Sequence, residues 1–320
     1  MSPLPLIIVN PASAAGATGR AWAGIASDWR THFGAFKCVF TEKTGDGQRL
    51  AIRAAQEGCN FIIACGGDGT ISEVANGILE SGLDVELGVL PNGTGGDFRR
   101  TLQLPTRAIN VARSLRVGRT RRIDVGRAIY TNHCGTQESK YFLGVASFGM
   151  SREVIERVKD GTTDWFTTVI PSGSLRGKIS FSIAALQTKL AAPYTEAFIK
   201  MDEQPERRLM FDNLCVANAR YFGGGMKIAP QAKLNDGLFD IIAIGDLRAR
   251  EILTGAPRLY MGAHLNMKQV QHARAARISA RPARRDDEIQ IEVDGELPGK
   301  LPATFEIIPR ALRIRLPQNQ

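Results

Sequence analysis

Cys65-Gly66-Gly67-Asp68-Gly69-Thr70-Ile71-Ser72 join an apolar run, Phe61–Ala64, to a helical pattern over Thr70–Leu79. Strand, glycine turn and helix gather backbone N–H groups at a helix N-terminus, where the helix dipole favours an anion. The glycines remove the Cβ atoms that would hold a phosphate away. Thr70 stands where an N-cap hydroxyl belongs. Asp68 is the odd member, because a carboxylate beside a phosphate repels it unless it holds Mg²⁺ or takes a proton. Alone, the segment is equally compatible with a tight turn. A second loop, Pro91-Asn92-Gly93-Thr94-Gly95-Gly96-Asp97, opens a helix in the same way. Its Asn92-Gly93-Thr94 sequon reads as accidental. Asn10-Pro11-Ala12-Ser13-Ala14-Ala15-Gly16 ends the first strand, where small residues and an amide suit close approach by a nucleotide or form a plain turn. Thr41, ending the second strand, could bond a base or ribose or merely begin a turn.

Two acidic turns lie in the second half. After Gly223-Gly224-Gly225 comes Asp236-Gly237, where the Asp236 carboxylate and nearby backbone carbonyls could hold a hard cation, or form an ordinary hairpin. Glu292-Val293-Asp294-Gly295-Glu296 is another strand-end turn, able to supply a general base or to stand solvated.

The elements that must position these residues alternate in type. Leu6–Val9, Phe36–Phe40, Phe61–Ala64 and Leu87–Leu90 read as strands, with helices at Gly19–Arg30, Asp46–Gln56 and Thr70–Leu79 between them. That order predicts a doubly wound parallel α/β sheet, and every glycine-rich loop of this half falls at a strand's carboxyl end, where such sheets bind ligands. From Ile123 the pattern changes to short segments at Ile123–Ile129, Lys140–Ala146, Glu196–Met201, Leu209–Asn218, Leu238–Ile244, Glu288–Val293 and Thr304–Leu316. These predict a mainly antiparallel β-sandwich. Helical patterns at Arg152–Val158, Ile179–Leu190 and Arg248–Met261 interrupt it.

The chain has 320 residues, 43% of them hydrophobic, and a formal charge of +9. That is enough apolar content for two cores, which excludes a disordered or disulfide-stapled protein. Five scattered cysteines and four histidines show no metal-ligand spacing and read as the reduced thiols and ordinary imidazoles of a cytoplasmic protein. The N-terminus lacks a basic region before its strand, so no signal peptide is expected. No Gly-x-x-x-x-Gly-Lys-[Ser/Thr], no Gly-x-Gly-x-x-Gly after the first strand and no Gly-x-Ser-x-Gly occur. A P-loop ATPase, a Rossmann dehydrogenase and an α/β-hydrolase are thereby set aside. The arginine clusters lack interleaved aromatics, so nucleic acid is not an expected partner.

In order and spacing, Asn10-Pro11, Gly66–Ser72, Leu90–Asp97, Pro230–Asp240 and Asp294-Gly295-Glu296 resemble the diacylglycerol kinase / sphingosine kinase catalytic family, in its soluble bacterial lipid-kinase branch. The resemblance implies an ATP-binding α/β domain over 1–122 and a lipid-binding β-sandwich domain over 123–302; the sequence leaves open whether the strands at about 303–320 return to the first domain or stay with the second. It implies ATP contacts at Asn10, Pro11, Ala12, Ser13, Ala14, Thr41, Gly66, Gly67, Asp68, Gly69, Thr70, Ile71, Ser72 and Thr94. Glu296 resembles the assigned proton acceptor, with Asp294 beside it in the same turn, whereas sphingosine kinases point to Asp68. Asp236 with the carbonyls of Lys233 and Leu238 resembles a structural Mg²⁺ site. Gly96, where the family usually has Asn, and the Ala-rich first loop depart from the pattern. The expected reaction is phosphoryl transfer from ATP to a lipid hydroxyl, on an enzyme touching an anionic membrane peripherally, with acceptor selectivity around Trp165–Leu190. Exposed strand edges could pair two copies. The rival expectations are a soluble-metabolite kinase of the NAD-kinase type and a catalytically silent lipid-binding protein.

Overall fold

The computed structural model describes residues 3–149, 194–245 and 257–318. The helical patterns at Arg152–Val158 and Ile179–Leu190, and the selectivity region Trp165–Leu190, lie outside these residues. Of Arg248–Met261, residues 257–261 are described, and they are helical.

The first half runs β1 (Leu6–Val9), α1 (Ala17–His32), β2 (Lys37–Phe40), α2 (Asp46–Gln56), β3 (Phe61–Gly66), α3 (Asp68–Glu80), β4 (Glu86–Pro91), α4 (Asp97–Thr101) and α5 (Ala108–Arg116). Its strands are parallel in the order β2-β1-β3-β4. Every residue of β3 is buried, which is why it reads as a continuous apolar run rather than an alternation. Ile62 and Ala64 pack with Val74 and Ile78 of α3 on one face. Ile63 and Cys65 pack with Trp29 of α1 and Leu115 of α5 on the other. Each fully buried large apolar side chain here contributes about 1.5–3 kcal/mol. Sequence periodicity did not mark α5, whose buried face, Val111, Ala112 and Leu115, lies within an arginine-rich stretch.

The second half is a β-sandwich-like domain of β5 (Arg119–Asn132), β6 (Gln137–Phe142), β7 (Val145–Phe148), β8 (Thr195–Met201), β9 (Arg207–Phe211), β10 (Asn213–Ala217), β11 (Phe239–Ile244), β12 (Val270–Ala275), β13 (Arg277–Pro282), β14 (Gln290–Val293) and β15 (Glu296–Leu316). One array runs β12-β11-β10-β7-β14-β15, and β15 also carries β5 and β13, which extend to β6, β8 and β9. Residues from both arrays share a core in which Phe142 stacks on Phe239 at 5.6 Å and Phe148 on Phe305 at 5.9 Å.

Two segments expected as single strands are broken. Lys140–Ala146 divides into β6 and β7 at Leu143-Gly144, and Leu209–Asn218 divides into β9 and β10 at Asp212. At the first break the N–H groups of Leu143 and Gly144 turn to the Asp294 carboxylate. At the second, Asp212 N–H is taken by Ile244. β15 is longer than its expected core. It leaves the acid turn at Glu296, and its far end pairs Arg313 and Ile314 with Glu86 and Leu87 of β4, in parallel. β5 passes residues 122 and 123 as unbroken strand. No described helix is long and apolar enough to cross a membrane.

The α2–α3 crossing depends on Gly77, where a Cβ would lie 2.3 Å from the Gln48 carbonyl oxygen. Gly77→Ala must push the two helices apart and should destabilise the protein by about 1–3 kcal/mol, read as a lower urea midpoint. An unchanged midpoint would show that the crossing is not close-packed.

Candidate active site at the rim shared by the two domains

In the order β2-β1-β3-β4, β1 and β3 are neighbours whose following helices cover opposite faces of the sheet. Such a switch point leaves a crevice beyond the strand ends. Three loops meet there and are stitched to one another. Asn10 continues β1 by giving its N–H to Cys65 O at 2.9 Å, and its side-chain amide donates to Thr70 Oγ1 at 3.0 Å. Ser13 Oγ donates to Asn92 O at 2.9 Å, and Asn92 N–H returns to Gly66 O at 2.8 Å. Gly93 lies so close to Gly67 that a Cβ on it would be 2.3 Å from the Gly67 Cα. Ala14 and Ala15 hold left-handed backbone at φ 52° and 53° before Gly16, a conformation residues with a Cβ rarely adopt. This loop therefore stores strain of order 1 kcal/mol per alanine.

The expected nucleotide contacts divide into two groups. Pro11, Ala12, Ser13, Ala14, Gly67, Gly69 and Thr94 lie at the crevice mouth with exposed or half-buried positions. Thr70, Ile71 and Ser72 are almost wholly buried. α3 begins at Asp68 with Gly67 as its cap, so Thr70 is not the N-cap residue; its hydroxyl receives Asn10 instead. Ile71 packs into the core and gives its N–H to Gly67 O. Thr41 is buried, and its N–H bonds Val9 O at 2.9 Å. The loop after Thr41 is fixed by Glu73, which accepts the N–H groups of Gly45 and Gly47, both at 2.9 Å. Asp46 accepts the N–H of Glu42 and the Arg49 guanidinium, which hold its carboxyl down to about 2. Cys65, behind the turn, has its thiol pushed up to about 12 by burial and is no nucleophile.

The four carboxylates of the rim have different employment. Asp68 accepts the N–H groups of Asp97 and Phe98 at 3.1 Å each, one on each oxygen, and so caps α4 and braces the second glycine loop. Asp97 reaches across to the other domain and accepts Gly224 N–H at 2.8 Å, with Arg100 on its second oxygen at 3.0 Å. Burial pushes the Asp97 carboxyl above its ordinary range, and the facing Asp68 charge adds to the shift. Asp294, in left-handed backbone at φ 48°, accepts Leu143 N–H, Gly144 N–H and the Ser72 hydroxyl at 3.0, 2.9 and 3.1 Å. Burial likewise raises its carboxyl, and those hydrogen bonds pull the other way. Glu296 differs: its side chain is 45% exposed and bonds the Lys140 ammonium. The sequence motifs therefore yield three braces and one accessible carboxylate. Ser72–Asp294 joins α3, the helix that follows the glycine turn, to the acid turn directly.

Glu73 and Lys140 were not singled out in the sequence, and Asp97 entered only as the last residue of the second glycine loop, with no role given to it. Asp97 carried the one available signal, a carboxylate at a helix start after a glycine loop. Nothing local to Glu73 or Lys140 announces their long-range partners.

The loop expected to hold Mg²⁺ lies apart from these bonds. Asp236 accepts Leu238 N–H on one oxygen and the Arg274 guanidinium on the other. Behind it, the buried Asp124 accepts Gly237 N–H at 2.7 Å and Arg310 N–H at 2.8 Å. Asp236 and the backbone carbonyls of Lys233 and Leu238 would offer a cation oxygen atoms only, the donor chemistry that suits a hard ion. Arg274 already supplies positive charge at the carboxylate, so ion and guanidinium compete for it.

Two family models match the chain: a diacylglycerol kinase catalytic domain over residues 5–128 and a YegS C-terminal NAD kinase beta sandwich-like domain over residues 158–316. A diacylglycerol kinase of Staphylococcus saprophyticus is 30% identical over 285 residues, covering 87% of this chain and 84% of that one. The chain belongs to the diacylglycerol kinase family. A diacylglycerol kinase of Bacillus subtilis (strain 168) is 28% identical over 284 residues, covering 88% and 85% of the two chains. A crystal structure of a candidate diacylglycerol kinase from Bacillus anthracis str. Sterne shares the fold, with TM-score 0.76, 22% identity, and 98% and 95% of the two chains covered. With this family comes an enzyme class, lipid kinase.

Asp68→Ala should remove the cap of α4 and lower the unfolding free energy by about 0.5–2 kcal/mol in urea denaturation; an unchanged value would mean that Asp68 braces nothing. If a cation competes with the Arg274 guanidinium for Asp236, millimolar Mg²⁺ should raise the Tm of Arg274→Ala more than that of the parent protein. Equal rises would show that guanidinium and ion do not compete at Asp236.

Proposed function

We propose that this kinase transfers the γ-phosphoryl group of MgATP to the hydroxyl of a lipid, such as diacylglycerol or a sphingoid or related lipid. The observation carrying the proposal is the Ser72–Asp294 hydrogen bond of 3.1 Å, which ties the anion-binding turn of one domain to the acid turn of the other. In this reading Asn10 to Ala14, Gly66 to Gly69 and Thr94 line the nucleotide site, largely through backbone groups, and Thr41, Thr70, Ile71 and Ser72 support it from buried positions behind. Glu296 is the proton acceptor, because both oxygens of Asp68 and of Asp294 already accept hydrogen bonds from the protein.

The lipid hydroxyl oxygen bonds the γ-phosphorus in line with the departing β-phosphate oxygen, whose bond to phosphorus breaks to leave ADP. The hydroxyl proton passes to the Glu296 carboxylate. Positioning and charge neutralisation supply most of the rate in such a transfer. Lys233, Asp236 and Leu238 are proposed as the oxygen donors of a structural Mg²⁺, remote from the bond changes. The enzyme would work in the cytoplasm against an anionic membrane, drawn there by its net charge of +9. A homodimer through an open edge such as β2 or β9, and independence from nucleic acid, belong to the same proposal.

A second reading is a kinase of a soluble metabolite. The NAD kinase-like description of the matched C-terminal model favours it. One experiment separates the two: labelled MgATP with the purified protein, against diacylglycerol and sphingoid bases in mixed micelles, and against NAD and sugar phosphates without detergent. Label should enter the lipid, and Glu296→Gln should lower kcat by about 10²-fold or more. Label in a soluble acceptor alone would transfer the assignment to the second reading, and no turnover with any acceptor would leave a lipid-binding protein.

A further inference from the structure

Lys140 has no part in the motifs that identified the site. It lies on β6, opposite Ala128 of β5, and its ammonium bonds the Glu296 carboxylate across 156 residues of chain. The Lys140 side chain is 19% exposed, whereas that of Glu296 is 45% exposed. A well-covered lysine thus holds a more open carboxylate. Tyr130 on β5 faces the charges of Glu138 and Glu296, and burial pushes its phenol up to about 12. Lys140 also acts electrostatically on Asp294, two residues before Glu296. His133 meets the same strand at Leu297 O, at 3.1 Å. One ammonium therefore faces both carboxylates of the acid turn.

The backbone of that turn is fixed by Asp294, but this does not fix the glutamate side chain, which has three rotatable bonds beyond its Cα. A general base must sit within hydrogen-bond reach of its proton, and an error of about 1 Å can lose about 10²-fold in rate. A triphosphate arriving beside Asp294 and Glu296 adds negative charge that would turn a free carboxylate away.

We propose that Lys140 is a positioning residue for phosphoryl transfer: it holds the Glu296 carboxylate in one orientation at the cleft. The inference rests on the assignment of Glu296 as proton acceptor. It predicts an effect on the chemical step and not on nucleotide affinity.

The test compares wild type, Lys140→Met, Lys140→Arg, Glu296→Gln and the Lys140→Met/Glu296→Gln double variant. Each is assayed with MgATP and the lipid acceptor for kcat, KM and Tm. Lys140→Met should lower kcat by about 10-fold or more, with KM for MgATP within about 2-fold and little change in Tm. Lys140→Arg should recover most of the loss. The double variant should be no slower than Glu296→Gln alone, since residues acting as a unit do not add. If Glu296→Gln is crippled while Lys140→Met keeps its kcat, the Lys140 inference falls and the Glu296 assignment survives. A rise in KM for MgATP at constant kcat would make Lys140 a phosphate ligand and overturn the inference equally. Full activity in Glu296→Gln would remove both. Should Lys140→Met fail to fold, Lys140→Arg and Lys140→Gln carry the comparison, and equal kcat in those two would reject the role.

Discussion

The Asp294 carboxylate is the constraint on which the shared rim depends. Its three donors belong to the helix after the glycine turn and to the break between β6 and β7, and it sits itself at the start of the acid turn. Removing that acceptor would strand backbone N–H groups and a hydroxyl, each at about 1–3 kcal/mol. The same device recurs around the cleft. Glu73 holds the Gly45–Gly47 loop, Asp68 the start of α4, and Asp97 the triple-glycine loop. Carboxylates spent on backbone N–H groups carry charge that is already met by donors. This explains how a basic chain tolerates several acids where a polyanion is expected to bind.

That arrangement also orders the candidate acids by availability. Asp68 and Asp294 lie beside glycine turns because they shape them, and only Glu296 presents a carboxylate whose recorded partner is a flexible side chain. The strained Ala14–Ala15 backbone fits the same picture, since a loop bent to an unfavourable conformation must be held by its neighbours. Here the holding groups include Ser13 and Asn92.

The parallel half was legible because each β3-type run and each following helix carries its own period, and the glycine loops mark the strand ends. Local pattern also located most sandwich strands, but it missed β12 and β13, which lie in an arginine-rich stretch, and it missed the breaks, since Leu143 and Gly144 leave the ladder for an acceptor 150 residues away. Thr70 misled for a related reason: its hydroxyl serves Asn10, 60 residues back, rather than its own helix. Family resemblance supplied Asp294 and Glu296 as a pair, yet only geometry separates a clasp from an open carboxylate. Lys140 was invisible because a lone lysine on an amphipathic strand reads as a solvated face, and Arg274 because nothing in its neighbourhood points to Asp236.

β15 gives the molecule its mechanical character. One strand of 21 residues starts at the acid turn, passes through the sandwich and finishes beside β4. Halves joined by a flexible tether can swing freely, whereas halves that share a hydrogen-bonded strand are coupled through it. Any relative movement of the halves must therefore deform this strand, whose pairing with β5 is irregular between Ile308 and Leu312, where Arg310 takes left-handed backbone at φ 53°.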